Sequence, residues 1–170
     1  SFGACDIDAV CQNVILNSGT LSPCRVFSSI EDRLPETRRK WIMKARPTEG
    51  TPNDVAKLAY DKIREYLIKN SKHVFSRGMH ATNCLQHPGR NCPISWVQDE
   101  DSDIAETRKP LTSTAAGTPC LPWCLAGSRK TGSHHDVMTF DMWIQEAVEA
   151  KYSFIWLENA EHFEKERVVS

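Results

Sequence analysis

The stretch Y-S-F-I-W-L-E-N, residues 152–159, decides which fold this sequence predicts. Its first six residues are apolar or aromatic except Ser153, and such a run is typical of a strand buried in a parallel sheet. A weaker strand candidate lies upstream at residues 111–116. Between the two, apolar residues recur at helical spacing: Val137, Phe140, Trp143, Ile144, Ala147 and Val148. Strand, helix and strand in this order predict a right-handed crossover, and therefore an α/β fold with a mainly parallel sheet.

The N-terminal part of the chain repeats this order. We predict a strand end at residues 4–7, a helix that stops before Gly19, and a second strand at residues 24–27. Another helix begins at Thr51, which can cap it, with Pro52 at its first position. The apolar stripe predicted for this helix is Val55, Leu58, Ala59, Ile63, Tyr66 and Leu67. From residue 71 to 110 the periodicity fails, so we expect a loop or insertion there within one domain of residues 1–170.

Composition and charge exclude several classes of protein. The 170 residues suffice for one domain with a sizeable core, and the hydrophobic content of 40% is that of a globular protein. With 21 basic and 22 acidic residues, the formal charge of −1 argues against a surface that binds nucleic acid everywhere. No apolar stretch approaches the roughly 20 residues of a membrane span. Because the sequence starts at Ser1 in apparent core material, we expect a fragment of a longer protein.

Two predicted strand ends carry a reactive pair of side chains. Residues 117–127, G-T-P-C-L-P-W-C-L-A-G, place Cys120 in a proline-containing turn, and Glu158 closes the next strand. Functional residues of parallel sheets gather just past the carboxyl ends of the strands. We therefore expect the Cys120 thiol and the Glu158 carboxylate to face one cleft.

These segments resemble conserved motifs of the DNA cytosine-5 methyltransferases. G-T-P-C-x-P-W, followed by A-G and by L-E-N, is similar to the fourth and sixth motifs of that family, at the family's spacing between Cys and Glu. Residues 4–12, A-C-D-I-D-A-V-C-Q, resemble the second motif, in which an acidic residue ends a strand before a helix. The resemblance implies a partial Rossmann-like fold that uses S-adenosylmethionine and covers motifs two to six, interrupted by an insertion.

The resemblance implies how the target base is handled. Cys120 would be the nucleophile that adds to carbon 6 of cytosine, and Glu158 would hydrogen-bond ring nitrogen 3 and the exocyclic amine. Asn159 and Trp123 would line the pocket of a base flipped out of its helix. The implied substrate is DNA, which would place the protein in the nucleus, although a tRNA-directed branch of the family leaves RNA open.

The resemblance also implies a cofactor site. Asp6 would hold the ribose hydroxyls of S-adenosylmethionine, Ile7 would lie against its adenine, and Pro119 would border it. Read without the resemblance, Asp6 could instead cap the helix that follows it. Ser29 stands where the family has an Asp that contacts the adenine amino group.

Several positions depart from the family pattern. Leu121 replaces a Gln, Cys124 a Ser and Ala160 a Val, and Asp136 stands where the family has Asp-x-Arg. The glycine-rich first motif and the later Q-x-R-x-R motif have no counterpart in these 170 residues, so we expect the chain alone to be inactive. These departures favour an alternative, a catalytically inactive module that binds or acts as a scaffold.

A second group of candidate ligands lies between the motifs. His80, Cys84, His87 and Cys92 are residue types that bind zinc, but their spacing contains no C-x-x-C pair. We therefore predict scattered loop residues and no metal, with a zinc-stabilised interaction domain over residues 80–92 as the alternative. In the sequence His134-His135-Asp136, we interpret Asp136 as the cap of the following helix and the histidines as exposed.

Overall fold

The computed structural model describes residues 3–6, 8–18, 25–75, 81–93, 113–117, 133–159, 163–164 and 166–169. These residues form a mixed α/β structure, which confirms the predicted class. The elements in chain order are β1 (Gly3–Cys5), α1 (Ala9–Asn17), β2 (Arg25–Phe27), a short 3-10 helix (Glu31–Arg33), α2 (Glu36–Ala45), α3 (Asn53–Lys69), α4 (Ser71–Val74), β3 (Ala81–Cys84), β4 (His87–Pro93), β5 (Ser113–Gly117), α5 (Asp136–Glu149), β6 (Phe154–Glu158) and α6 (Glu166–Val169). Among these elements, no helix has both the length and the apolar character needed to cross a membrane.

The strands of the described residues form three two-stranded sheets. β1 and β2 are parallel, with Ala4 opposite Val26. β5 and β6 are also parallel, with Gly117 opposite Glu158, which confirms the predicted relation of the last two strands. β3 and β4 form an antiparallel hairpin. The two parallel pairs border one core, because Cys5 of β1 and Leu157 of β6 both pack against it.

Helix α5 is the centre of this core. Val137, Phe140, Trp143, Ile144 and Ala147 are buried as predicted. Asp141 and Gln145 on the same helix are buried too, so α5 is enclosed around most of its circumference. The predicted apolar stripe extends one residue too far, since Val148 is 57% exposed.

Helix α3 packs against α5 with a face that overlaps the predicted stripe only in part. The residues buried along it are Ala56, Tyr60, Ile63 and Leu67. Val55 and Leu58, which the sequence placed in the stripe, are 50% and 62% exposed. The prediction was right for Ile63 and Leu67 and wrong for Val55 and Leu58. Helix α3 carries apolar residues on more than one face, and contact with α5 selects the face that is buried. The predicted cap was wrong as well: the helix starts at Asn53 after Pro52, and the Thr51 hydroxyl donates to the Thr48 carbonyl at 2.8 Å.

Strand β6 forms where it was predicted but is not buried. Phe154, Ile155 and Trp156 are all more than 40% exposed, and only Leu157 is half-buried. Burial of a parallel strand requires elements on both faces. Within the described part of the chain, β6 has one strand partner, β5, and its apolar side chains are correspondingly uncovered.

The segment predicted as a loop or insertion, residues 71–110, contains regular structure. Helix α4 and the β3–β4 hairpin lie in it, so an unstructured loop was the wrong expectation for residues 71–74 and 81–93. The sequence did not predict the hairpin because its strands are mostly polar and exposed, without alternating apolar residues. It is attached to the rest of the protein through β2, where the Leu85 N–H donates to the Val26 carbonyl at 2.8 Å.

Candidate active site

The ends of β5 and β6 place Glu158 beside Gly117. These two residues are register partners, and Glu158 Oε2 lies 3.6 Å from the position that a Cβ would take on Gly117. Glu158 is exposed, and Asn159, the next residue, is half-buried. Cys120 follows Gly117 by three positions in the sequence and, with Pro119 and Trp123, lies outside the described residues. The carboxylate predicted to act on a base is therefore at the carboxyl end of two parallel strands.

Asp6 lies at the corresponding end of the other parallel pair. It directly follows β1, and its backbone N–H donates to the Phe27 carbonyl at 3.3 Å. Its Oδ1 accepts the N–H of Asp8 at 2.8 Å. The cap of α1 is Asp8, whose Oδ1 accepts the N–H groups of Val10 and Cys11. The helix-cap interpretation of Asp6 is therefore wrong, because Asp8 has that role.

Gln12 joins the ends of β1 and β2, a role that sequence reasoning missed. Its Nε2 donates to the Asp6 carbonyl at 2.7 Å and to the Ser28 carbonyl at 3.4 Å. These bonds connect the backbone at Asp6 with the residue that follows β2. A Gln one turn into a helix after a β-strand was visible in the sequence, but no pattern connected it with the second strand.

Asp6 lies where the resemblance to the methyltransferases places an acid. An acid just past a parallel strand is where dinucleotide-type folds bind ribose hydroxyls, and Asp6 lies at such a position with its Oδ1 bonded to the Asp8 N–H. Ser29 has no carboxylate to offer an adenine amino group, and its hydroxyl accepts the Asp32 N–H at 3.2 Å at the start of the 3-10 helix. Ile7, predicted to contact the adenine, lies outside the described residues.

The structure brings together three of the Cys and His residues that we expected to be scattered. Cys84 Sγ and Cys92 Sγ lie 3.5 Å and 3.4 Å from the same atom, His87 Nδ1. The Cys84 side chain is fully buried, whereas His87 is exposed and Cys92 lies between these extremes. Burial opposes ionisation of Cys84, but hydrogen bonds from the backbone of Val26 and from His87 outweigh it and lower its pKa to about 7.

The second histidine group is arranged differently. His134 and His135 stack with ring centroids 4.2 Å apart, and the Asp136 carboxylate lies 3.3 Å from one imidazole and 3.1 Å from the other. Asp136 is the first residue of α5 and His135 occupies the cap position, so the predicted capping role of Asp136 was wrong. His134 Nδ1 accepts the Asp136 N–H at 3.2 Å, and His134 is half-buried, whereas the sequence predicted both histidines to be exposed.

Comparison of the chain with protein-family models, with curated proteins and with solved structures finds no match.

Proposed function

We propose that this chain belongs to a cytosine-5 methyltransferase with a Rossmann-like fold, and that Cys120 and Glu158 act together on the target base in DNA. The observation that carries the proposal is the position of Glu158 beside Gly117, where two parallel strands end together. Gly117 precedes Cys120 by three residues in the sequence. Together with the motif resemblance, this arrangement supports a thiol and a carboxylate acting at one sheet edge.

The proposed chemistry explains why both groups are needed. Carbon 5 of cytosine is a weak nucleophile until the Cys120 thiolate forms a bond to carbon 6 and pushes an electron pair into the ring. Glu158 stabilises this adduct through hydrogen bonds to ring nitrogen 3 and the exocyclic amine. After carbon 5 has been methylated, it loses its proton to a base. The carbon–sulfur bond then breaks and returns the thiolate.

S-adenosylmethionine, when bound, supplies the methyl group. Asp6 would hold one ribose hydroxyl through Oδ2, and Gln12 would keep Asp6 in place by joining the ends of β1 and β2. The target base must leave its helix to reach the two side chains, which costs a few kcal/mol.

The test is methyl transfer by the full product of the gene that encodes this chain, with labelled S-adenosylmethionine and duplex DNA. We expect Cys120→Ala to abolish labelling of cytosine and Glu158→Gln to reduce it by about 100-fold or more. Cys124→Ser is the matched control, because it restores the residue that the family pattern has there, and it should retain activity. Substantial labelling by Cys120→Ala would refute the proposal.

A catalytically inactive binding module remains the second candidate. It is favoured by Ser29, because a serine stands where the family pattern has the acid that contacts the adenine amino group. The two candidates differ in outcome. A protein that binds DNA and S-adenosylmethionine but transfers no methyl group would be the binding module.

A further inference from the structure

Three electron-pair donors converge at the tip of the β3–β4 hairpin. Cys84 ends β3, His87 begins β4 after a two-residue turn, and Cys92 lies further along β4. Their ligand atoms, two sulfurs and one ring nitrogen, all lie within 4.8 Å of one another. The residues lie on two paired strands, so the backbone of the hairpin fixes their separation.

The distances are those of a tetrahedral thiolate and imidazole site. With Zn–S near 2.3 Å and Zn–N near 2.0–2.1 Å, a tetrahedral ion separates sulfur from nitrogen by about 3.5 Å. The two distances here are 3.5 Å and 3.4 Å. One ion between the three atoms would account for both short contacts.

Hydrogen bonding alone explains the cluster less well. A single ring nitrogen either donates one proton or accepts one, so His87 Nδ1 can form a good hydrogen bond with only one of the two sulfurs. A Cys–His catalytic pair is also a poor explanation, because the Cys84 side chain is fully buried and inaccessible to a substrate. A metal ion uses all three donors at once.

We propose that Cys84, His87 and Cys92 bind one Zn²⁺ ion. The more exposed side of the site, formed by His87 and Cys92, leaves the fourth position of the ion open to a further ligand. Cys84 faces the protein, and the neighbouring Leu85 N–H is bonded to the Val26 carbonyl. The ion would therefore stabilise the hairpin and, through Cys84, its contact with β2. Thiolate and imidazole ligands select zinc over magnesium or calcium.

The test measures metal content and then metal affinity. Reduced protein purified without chelator should contain one zinc ion per chain. Metal-free protein titrated with Co²⁺ should develop the visible bands of a tetrahedral site and a sulfur-to-cobalt charge-transfer band. We expect His87→Ala and Cys92→Ser to weaken Co²⁺ binding by more than about 100-fold, above the loss typical of outer-sphere partners.

The controls separate loss of ligands from loss of folding. His87 is exposed and Cys92 is not fully buried, so both variants should keep the circular dichroism spectrum of the metal-free protein. Cys11→Ser removes an exposed thiol outside the cluster and should bind Co²⁺ normally. The proposal is overturned if reduced protein gives no charge-transfer band, if the two variants bind Co²⁺ like the wild type, or if freshly purified protein contains a Cys84–Cys92 disulfide.

Discussion

The Glu158 carboxylate lies against the backbone of Gly117, with Oε2 3.6 Å from where a Cβ would be. A single methyl group at 3.6 Å would make ordinary van der Waals contact, whereas leucine would add three further carbon atoms beyond that position.

Substitution of Gly117 by a small and by a large residue should therefore show whether the space beside Glu158 matters for activity. Gly117→Ala should retain methyl transfer, because the methyl group fits beside Glu158. Gly117→Leu should lower kcat by about 100-fold, since it displaces the carboxylate by about an ångström or more. The measurement is steady-state methyl transfer by both variants. Equal activity of the two would show that Glu158 does not act from this position.

Substitution of Asp6 should change the reactivity of a neighbouring thiol. The Asp6 carboxylate is the largest influence that raises the pKa of Cys11, an exposed cysteine. Asp6→Asn removes that negative charge and lowers the Cys11 pKa, so more thiolate is present between neutral pH and about 8.5. Alkylation of Cys11 by iodoacetamide, followed by peptide mass spectrometry, should become faster. Asp54→Asn, at the start of α3, should leave the rate unchanged, and an unchanged rate in Asp6→Asn would contradict the described geometry.

The C-terminal helix α6 is held by a buried ion pair. Arg167 Nη2 donates to Asp141 Oδ2 at 2.8 Å and its Nε donates to Oδ1 at 3.2 Å, and both side chains are buried. Arg167→Met would leave the Asp141 carboxylate buried with a weaker partner, Arg64, at 3.7 Å. We expect a loss of about 3–5 kcal/mol in the free energy of unfolding, measured with urea. Lys57→Ala, which breaks an exposed pair with Asp61, should cost less than about 1 kcal/mol. Similar values for the two would mean that the Arg167 pair is not buried.

Substitution of Phe140 should destabilise the core. It is fully buried on α5 and meets Phe163 edge to face, with ring centroids 4.9 Å apart. Phe140→Ala should lower the free energy of unfolding by about 3–5 kcal/mol. Val148→Ala, on the exposed side of the same helix, should change it by less than about 0.5 kcal/mol. Thermal or urea unfolding of both proteins decides whether α5 is the centre of the core.

The sequence predicted the buried residues correctly where a helix is enclosed on most sides. Helix α5 is enclosed on most sides, so almost every apolar residue of its repeat is buried. Helix α3 has apolar residues on two faces, and the sequence alone could not decide between Leu58 and Tyr60, because the choice depends on contact with α5. For β6, the apolar run predicted the strand correctly but not its exposure, which depends on what covers the sheet.

Some candidate site residues could be placed from the sequence and others could not. Glu158 and Asp6 lie at strand ends, where a linear pattern of strand and turn is sufficient to place them. The cluster of Cys84, His87 and Cys92 depends on strand pairing in a hairpin whose residues are mostly polar. The sequence therefore shows no alternation of apolar residues that would predict the hairpin. Spacing alone suggested scattered ligands, and only the antiparallel register brings the two sulfurs to one nitrogen.

The most direct measurement of the central claim is covalent trapping on DNA that contains 5-fluorocytosine, in the presence of S-adenosylmethionine. Fluorine at carbon 5 cannot leave as a cation, so an enzyme that acts through a carbon 6 adduct stays bound to its substrate. We predict a denaturation-resistant complex of the full gene product with the DNA, and a peptide in which the base is attached to Cys120. A protein that methylates cytosine without forming such a complex, or an attachment at a different cysteine, would contradict the account.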